Sequence, residues 1–277
     1  MSLERCSLNQ YTTKPLSLIE AVDACVRYGI PAIGLWRDKV AALGLTAAKR
    51  ELDARGLHVS SLCRGGFFPG RDEAERRLHL DENRRAVEEA AALGADVLVL
   101  VCGPTLGTDI TRARAQIADG IAAIVPDARA AGVKLGIEPL HPMMVADRSA
   151  VTTLTEANDL LDALDELDVV GVVVDAYHVF WDCRLDVEVH HAAGSILGYH
   201  VSDWITPNGA ADVAAARAMM GDGCIDLAHL GGLVTGAGYE GFVEVEVLSE
   251  RLWACDQESV LQAVVERFER HVAPSLR

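Results

Sequence analysis

The chain has 277 residues, half of them hydrophobic, and a formal net charge of −16. That length suits one large α/β domain or two small ones, with enough apolar material for a sizeable core. The acidic balance argues against DNA, RNA and anionic membrane surfaces as partners, because nucleic-acid binding draws on clustered cationic contacts. A local basic pocket for a small anion stays compatible with it.

The seven cysteines, from Cys6 to Cys255, are scattered and show no C-x-x-C spacing. Reduced thiols in a cytoplasmic protein are the expectation, with no disulfide framework and no cysteine zinc site. Residues 1–10 are polar and lack an apolar h-region, so no secretory signal is expected. No apolar run approaches the roughly 20 residues that span a bilayer.

The predicted elements alternate strand and helix. Residues 6–9 form a short strand candidate. A helix follows over 16–28, with Ser17 as cap and Gly29 as stop. Residues 31–36 read as a second strand, 46–55 as a helix ending at Gly56, and 57–63 as a third strand running into the loop Arg64-Gly65-Gly66. A long amphipathic helix over 72–93 closes at Gly94. Residues 95–101 form the clearest strand. Residues 111–131 are helical, with Pro126 placed to kink or divide them. Strands at 133–138, 169–175, 196–202 and 242–247 alternate with helices at 152–164, 186–193, 226–236 and 257–271. A loop rich in Gly, Ala and Pro after residue 202 ends at Gly221-Asp222-Gly223. Eight such units in about the length that a (β/α)8 TIM barrel needs, roughly 250 residues, predict that α/β fold as a single domain over 1–277. The near-continuous apolar strands fit a sheet covered on both faces. A doubly wound open sheet is the alternative.

Four of these strands end in a polar group. Gly136-Ile137-Glu138-Pro139 stops at a carboxylate and a proline. Val172-Val173-Val174-Asp175, Leu197-Gly198-Tyr199-His200 and Phe242-Val243-Glu244-Val245-Glu246 repeat the pattern. In a barrel the C-terminal strand ends face one mouth, where active sites lie. Glu138, Asp175, His200 and Glu246 therefore predict a site for one divalent metal ion. The oxygen-rich set favours Mn2+, with Mg2+, Co2+ or Zn2+ as alternatives. The bland alternative is a set of unrelated polar residues at loop junctions.

Across nearly its whole length the sequence resembles the xylose-isomerase-like barrels, which include sugar phosphate isomerases/epimerases, ketose 3-epimerases and inosose isomerases. The resemblance is carried by Gly136-Ile137-Glu138-Pro139, Asp175-Ala176-Tyr177-His178, His200-Val201-Ser202-Asp203, Gly221-Asp222-Gly223-Cys224-Ile225-Asp226, and Gly238-Tyr239-Glu240-Gly241 followed by Glu246. It implies that Glu138, Asp175, His200 and Glu246 hold the metal, that Glu138 and Glu246 double as catalytic acid/base groups, and that His178 contacts substrate. The family's last glutamate lies five residues after the turn glycine; counted from Gly241, that is Glu246. Glu244 shares its strand face and is left as a supporting partner or a group lower in the barrel. Arg217 matches a substrate-side arginine of relatives. The glutamate that often ends the second strand of these isomerases is missing; Ile33-Gly34-Leu35-Trp36-Arg37 stands there.

The remaining candidates keep two readings each. Trp36 floors a sugar pocket or fills the barrel end. Arg64 binds a carboxylate, phosphate or hydroxyls, or sits exposed in a loop. Asp203 orients His200 or binds substrate, or makes a local loop hydrogen bond. Trp181, Asp182 and Trp204 rim the mouth or pack, and His190 and His191 read as helix-surface residues. The implied function is a metal-dependent sugar or keto-cyclitol isomerase/epimerase working by proton transfer through a metal-stabilised enediolate. A dehydratase or lyase acting on a keto-sugar or 3-keto-glycoside is the alternative. A non-catalytic sugar-binding barrel and an apurinic endonuclease are remoter ones. The endonucleases of this barrel type use a zinc cluster with extra histidines on the second to fourth strands, where this chain has Trp36, Arg64 and Cys102. The implied partner is a small-molecule sugar or cyclitol, with a homo-oligomer possible.

Overall fold

A computed structural model describes residues 3–107, 109–205 and 215–276. Eight parallel strands close into a barrel in sequence order: β1 (Cys6–Asn9), β2 (Ala32–Trp36), β3 (His58–Gly66), β4 (Val97–Val101), β5 (Lys134–Ile137), β6 (Val170–Asp175), β7 (Ile196–Val201) and β8 (Val243–Val245). Closure comes from β8 pairing with β1, Ser7 opposite Glu244 and Leu8 opposite Val245. This is the (β/α)8 architecture that the alternation predicts.

Local signals set most boundaries. Ser17 caps helix Leu18–Tyr28 in a reciprocal capping box with Glu20, and Gly29 ends it in the left-handed conformation. Asp72, Thr153, Asp226 and Asp256 each cap the helix that follows. The main core lies between strands and helices, while Val97, Val99, Val173 and Cys63 form a small separate apolar cluster. Among the described residues, no helix is long and apolar enough to cross a membrane.

Three local expectations are revised. The third strand does not stop at Cys63 but continues to Gly66, with a register shift between Cys63 and Gly65. Glycines read as loop, yet only Gly66 fits here: its φ is +103°, and a Cβ would lie 2.0 Å from Val101 O. Pro126 does not divide its helix, which runs unbroken over Ile110–Ala131. Short helices at Arg37–Leu43, Ala176–Val179 and Glu250–Trp253 fall in stretches that read as loop or strand end. The Gly/Ala/Pro-rich loop after residue 202 lies partly, at 206–214, outside the described residues.

Candidate functional site

The barrel brings the four strand-end residues together. Glu138, Asp175, His200 and Glu246 each offer a ligand atom, and these atoms all lie within 4.8 Å of one another. None of the four is more than 5 % exposed. Register explains the convergence: Asp175 pairs with His200 across β6 and β7, and Glu138 and Glu246 each stand one residue beyond β5 and β8.

Asp175 and Glu246 are each held by partners outside the cluster. Asp175 Oδ1 accepts the Tyr177 backbone N–H (2.9 Å), so the residue that ends β6 also caps the next turn. Its Oδ2 accepts from Arg217 Nη1 at 2.6 Å. Arg217 is buried, reaches the Glu246 carbonyl at 3.2 Å and stands 3.3 Å from Glu246 Oε2. His200 Nδ1 lies 3.2 Å from Glu246 Oε2 and 3.4 Å from Glu138 Oε1. Glu246 Oε1 accepts from Asn9 Nδ2 at 3.1 Å.

Charge is unbalanced. Among the described residues, four buried carboxylates, Glu138, Asp175, Glu244 and Glu246, crowd the Arg217 guanidinium and the imidazoles of His200 and His178. Burial, helped by Glu246, pushes the Glu138 carboxyl up to about 7 despite its contact with His200. Burial also opposes ionisation of Glu246, but Arg217 and then His200 outweigh it and hold Glu246 down at about 2. Burial disfavours charge on His200 too, yet Glu244, Glu138 and Glu246 raise it well above an ordinary histidine. Glu138 Oε1 has no hydrogen-bond partner although buried, an unusual omission for a carboxylate. An orphaned oxygen, surplus negative charge and a hard O/N donor set fit a divalent cation.

A consequence is measurable. Cation uptake near neutral pH must displace protons held by Glu138 and His200. Calorimetric titration with Mn2+ in buffers of different ionisation enthalpy should show release of about one to two protons per ion at pH 6.5, falling as pH rises. A binding heat independent of the buffer would contradict this charge assignment.

Above the cluster lies a cavity of 390 Å³ lined by Glu138, Glu246, His178, Arg217, Trp36 and Arg64, together with Tyr11, Lys14, Met144, Arg148 and Trp253. His178 is buried; its Nδ1 accepts the His141 backbone N–H at 3.2 Å, and its Nε2 stands 3.1 Å from Arg217 Nη2. Burial, with Arg217 and His141 nearby, lowers it to about 3 despite Asp175, so the ring is neutral. Trp36 stacks on Tyr11 at 3.8 Å, and its Nε1 donates to Asn9 Oδ1. Arg64 lies 4.0 Å over the Phe67 ring.

Asp203 makes the local loop hydrogen bonds that were the second of its two readings. Its two oxygens accept the backbone N–H groups of Trp204, Gly221, Gly223 and Ile225, at 2.8–3.0 Å. It is buried and does not line the cavity; it organises the Gly221-Asp222-Gly223 loop instead. Trp204 packs against His141, Tyr177 and Phe180. His190 and His191 are exposed, as expected. Sequence reasoning missed Asn9, Tyr11, Lys14 and Trp253. Only Asn9 carried a signal, being a polar residue at the end of a strand like the four residues of the cluster.

Comparison with known proteins identifies the family of the chain. A family model described as xylose isomerase-like TIM barrel matches residues 22–271. No curated protein matches. A crystal structure of a protein from Sinorhizobium meliloti 1021 is similar at 45 % identity and a TM-score of 0.94, covering 98 % of this chain and 99 % of that one. IolI protein with a bound zinc atom is similar at 20 % identity and a TM-score of 0.86, over 98 % and 99 % of the two chains. D-psicose 3-epimerase from Clostridium cellulolyticum H10, with D-tagatose, is similar at 13 % identity and a TM-score of 0.79, over 99 % of each. At those last two identities the likeness is one of fold.

Proposed function

The chain belongs to the xylose isomerase-like TIM barrel family, and from that premise we propose that it is a divalent-metal-dependent isomerase or epimerase of a keto-sugar or keto-cyclitol. The observation that carries the reading is the buried Glu138–Asp175–His200–Glu246 cluster at the base of an open cavity. The cavity falls in the range of roughly 300–1,000 Å³ usual for small-molecule sites. The IolI structure holds zinc and the D-psicose 3-epimerase structure holds a ketose, which supports a metal and a sugar here.

The residues fit the roles. A bound divalent cation would supply Lewis-acid charge for a substrate carbonyl. Glu246, held ionised by Arg217, accepts a proton from the carbon beside that carbonyl. Glu138, which also lines the cavity, delivers a proton taken from solvent on the other side. Return to the opposite face of the same carbon gives an epimer, and delivery to the next carbon gives an isomer. Expulsion of a β-leaving group would give the lyase outcome with the same two carboxylates. Neutral His178 and Arg217 are placed to hydrogen-bond substrate oxygens, and Trp36, backed by Tyr11, offers a flat apolar wall for a sugar face. Arg64 supplies a cation at the rim. His58 lies at the other end of the barrel, paired with Asp96 at 2.7 Å, so it does not supply the extra histidine of a zinc-cluster endonuclease.

Solvent exchange tests the proposal. Mn2+-loaded protein in D2O with ketohexoses, inososes and 3-keto-glucosides should incorporate deuterium at a carbon beside the carbonyl, and EDTA should stop it. The products then separate epimerase, isomerase and lyase. Tight metal binding without exchange on any of these compounds would remove this substrate class, and turnover would exclude a non-catalytic sugar-binding barrel.

A further inference from the structure

Glu244 is absent from the ligand set, yet much of the barrel interior is arranged around it. It is 2 % exposed. Its Oε2 accepts from Ser60 Oγ at 2.9 Å and Ser61 Oγ at 2.8 Å, and its Oε1 from Asn9 Nδ2 at 2.6 Å. Ser7 adds a hydroxyl contact to Ser60 at 2.6 Å. Residue 34 is glycine, and a Cβ there would lie 2.0 Å from Glu244 Oε1. The chain thus clears a volume for this carboxylate and, among the described residues, surrounds it with the neutral donors Ser60, Ser61 and Asn9.

The charged group that faces Glu244 is His200. Nε2 of that ring stands 3.9 Å from Glu244 Oε2, while Nδ1 faces Glu138 and Glu246 on the other side. A metal-bound imidazole carries its proton on the second nitrogen, and that N–H needs an acceptor. A shift of about 1 Å brings Glu244 Oε2 to hydrogen-bond distance of it. Asn9 extends the arrangement. Its Oδ1 accepts N–H groups from Tyr11 and Trp36, which fixes the amide so that Nδ2 faces the carboxylates. That one nitrogen donates to both Glu244 and Glu246.

We propose that Glu244 is a positioning residue of the metal centre: it takes the Nε2–H of His200, turning Nδ1 toward the ion, and through Asn9 it steadies Glu246. The inference rests on the metal-centre reading. Its competitor is water. A second cavity of 300 Å³ on the strand-start side of the barrel is lined by His200, Glu244, Ser60 and Ser61, and a solvent molecule there would be the other acceptor for Nε2–H.

The test is made without substrate. In the Zn2+-loaded wild type, long-range 1H–15N spectra of His200 should show an Nε2–H shifted downfield and protected from solvent exchange. A rapidly exchanging Nε2–H with an ordinary shift would assign the role to water and overturn the proposal, whether or not any variant folds. Glu244→Gln should weaken Co2+ affinity about 10–100-fold, the usual effect of losing such a partner, and move the Nε2–H upfield. The double variant Ser60→Ala/Ser61→Ala keeps the carboxylate and should retain the wild-type Nε2–H signal. Equal Co2+ affinity in wild type and Glu244→Gln would overturn the proposal and leave the metal centre standing. A wild type that takes up no Co2+ would overturn both.

Discussion

Glu246→Gln should stop deuterium exchange into a ketose almost completely, about 10³-fold below wild type or lower, while Glu138→Gln fails in activity for a different reason. General acid–base groups contribute roughly 10² to 10⁴ in rate, and Glu246 is at once a predicted base and a predicted ligand. Glutamine cannot take a proton. Its amide nitrogen would also face Arg217 and His200, which now lie 3.3 Å and 3.2 Å from Oε2. Glu138, by contrast, holds a proton near neutral pH in the cation-free site, so glutamine resembles the state already present. The two variants should therefore part in thermal denaturation of the cation-free protein. Glu138→Gln should unfold near the wild-type temperature. Glu246→Gln should be several kcal/mol less stable, because one partner of a buried ion pair is lost. The reverse order of stability would refute the protonation states assigned to the pair.

Arg217→Met is the second large effect, and it falls on stability. The guanidinium is buried between Asp175 and Glu246 and is their shared cation. Removing it strands two buried carboxylates, and breaking a buried pair in this way costs roughly 3–5 kcal/mol. For a domain of this size that is a fall in melting temperature on the order of 10 °C. A divalent cation should restore much of the loss, since a bound ion stabilises the folded state by mass action. Melting curves of Arg217→Met with EDTA and with excess Mn2+ check both halves. An unchanged melting temperature in EDTA would mean that the carboxylates do not rely on Arg217. No recovery with Mn2+ would mean that cation and guanidinium do not act on the same charges.

What short-range physics controls was legible in the chain before any fold was known. Alternation of apolar strands with capped helices is written within stretches of ten to twenty residues, in Ser17 with Glu20, in Gly29 and Gly94, and in Asp72. Eight such units were enough for the closed barrel, because a barrel makes every strand end face the same mouth. For that reason Glu138, Asp175, His200 and Glu246 could be singled out as one cluster without a coordinate. Tertiary structure alone decided their surroundings. Asp203 became the anchor of a loop because the peptide N–H groups of residues 221–225 fold back over it. Glu244 acquired Asn9, Ser60 and Ser61 from 183 to 235 positions away. Arg217 found Asp175 across 42. Periodicity says which face of a strand a side chain takes, but its partners are fixed by register between strands and by the closure of β8 on β1, and neither is a property of any local stretch of chain.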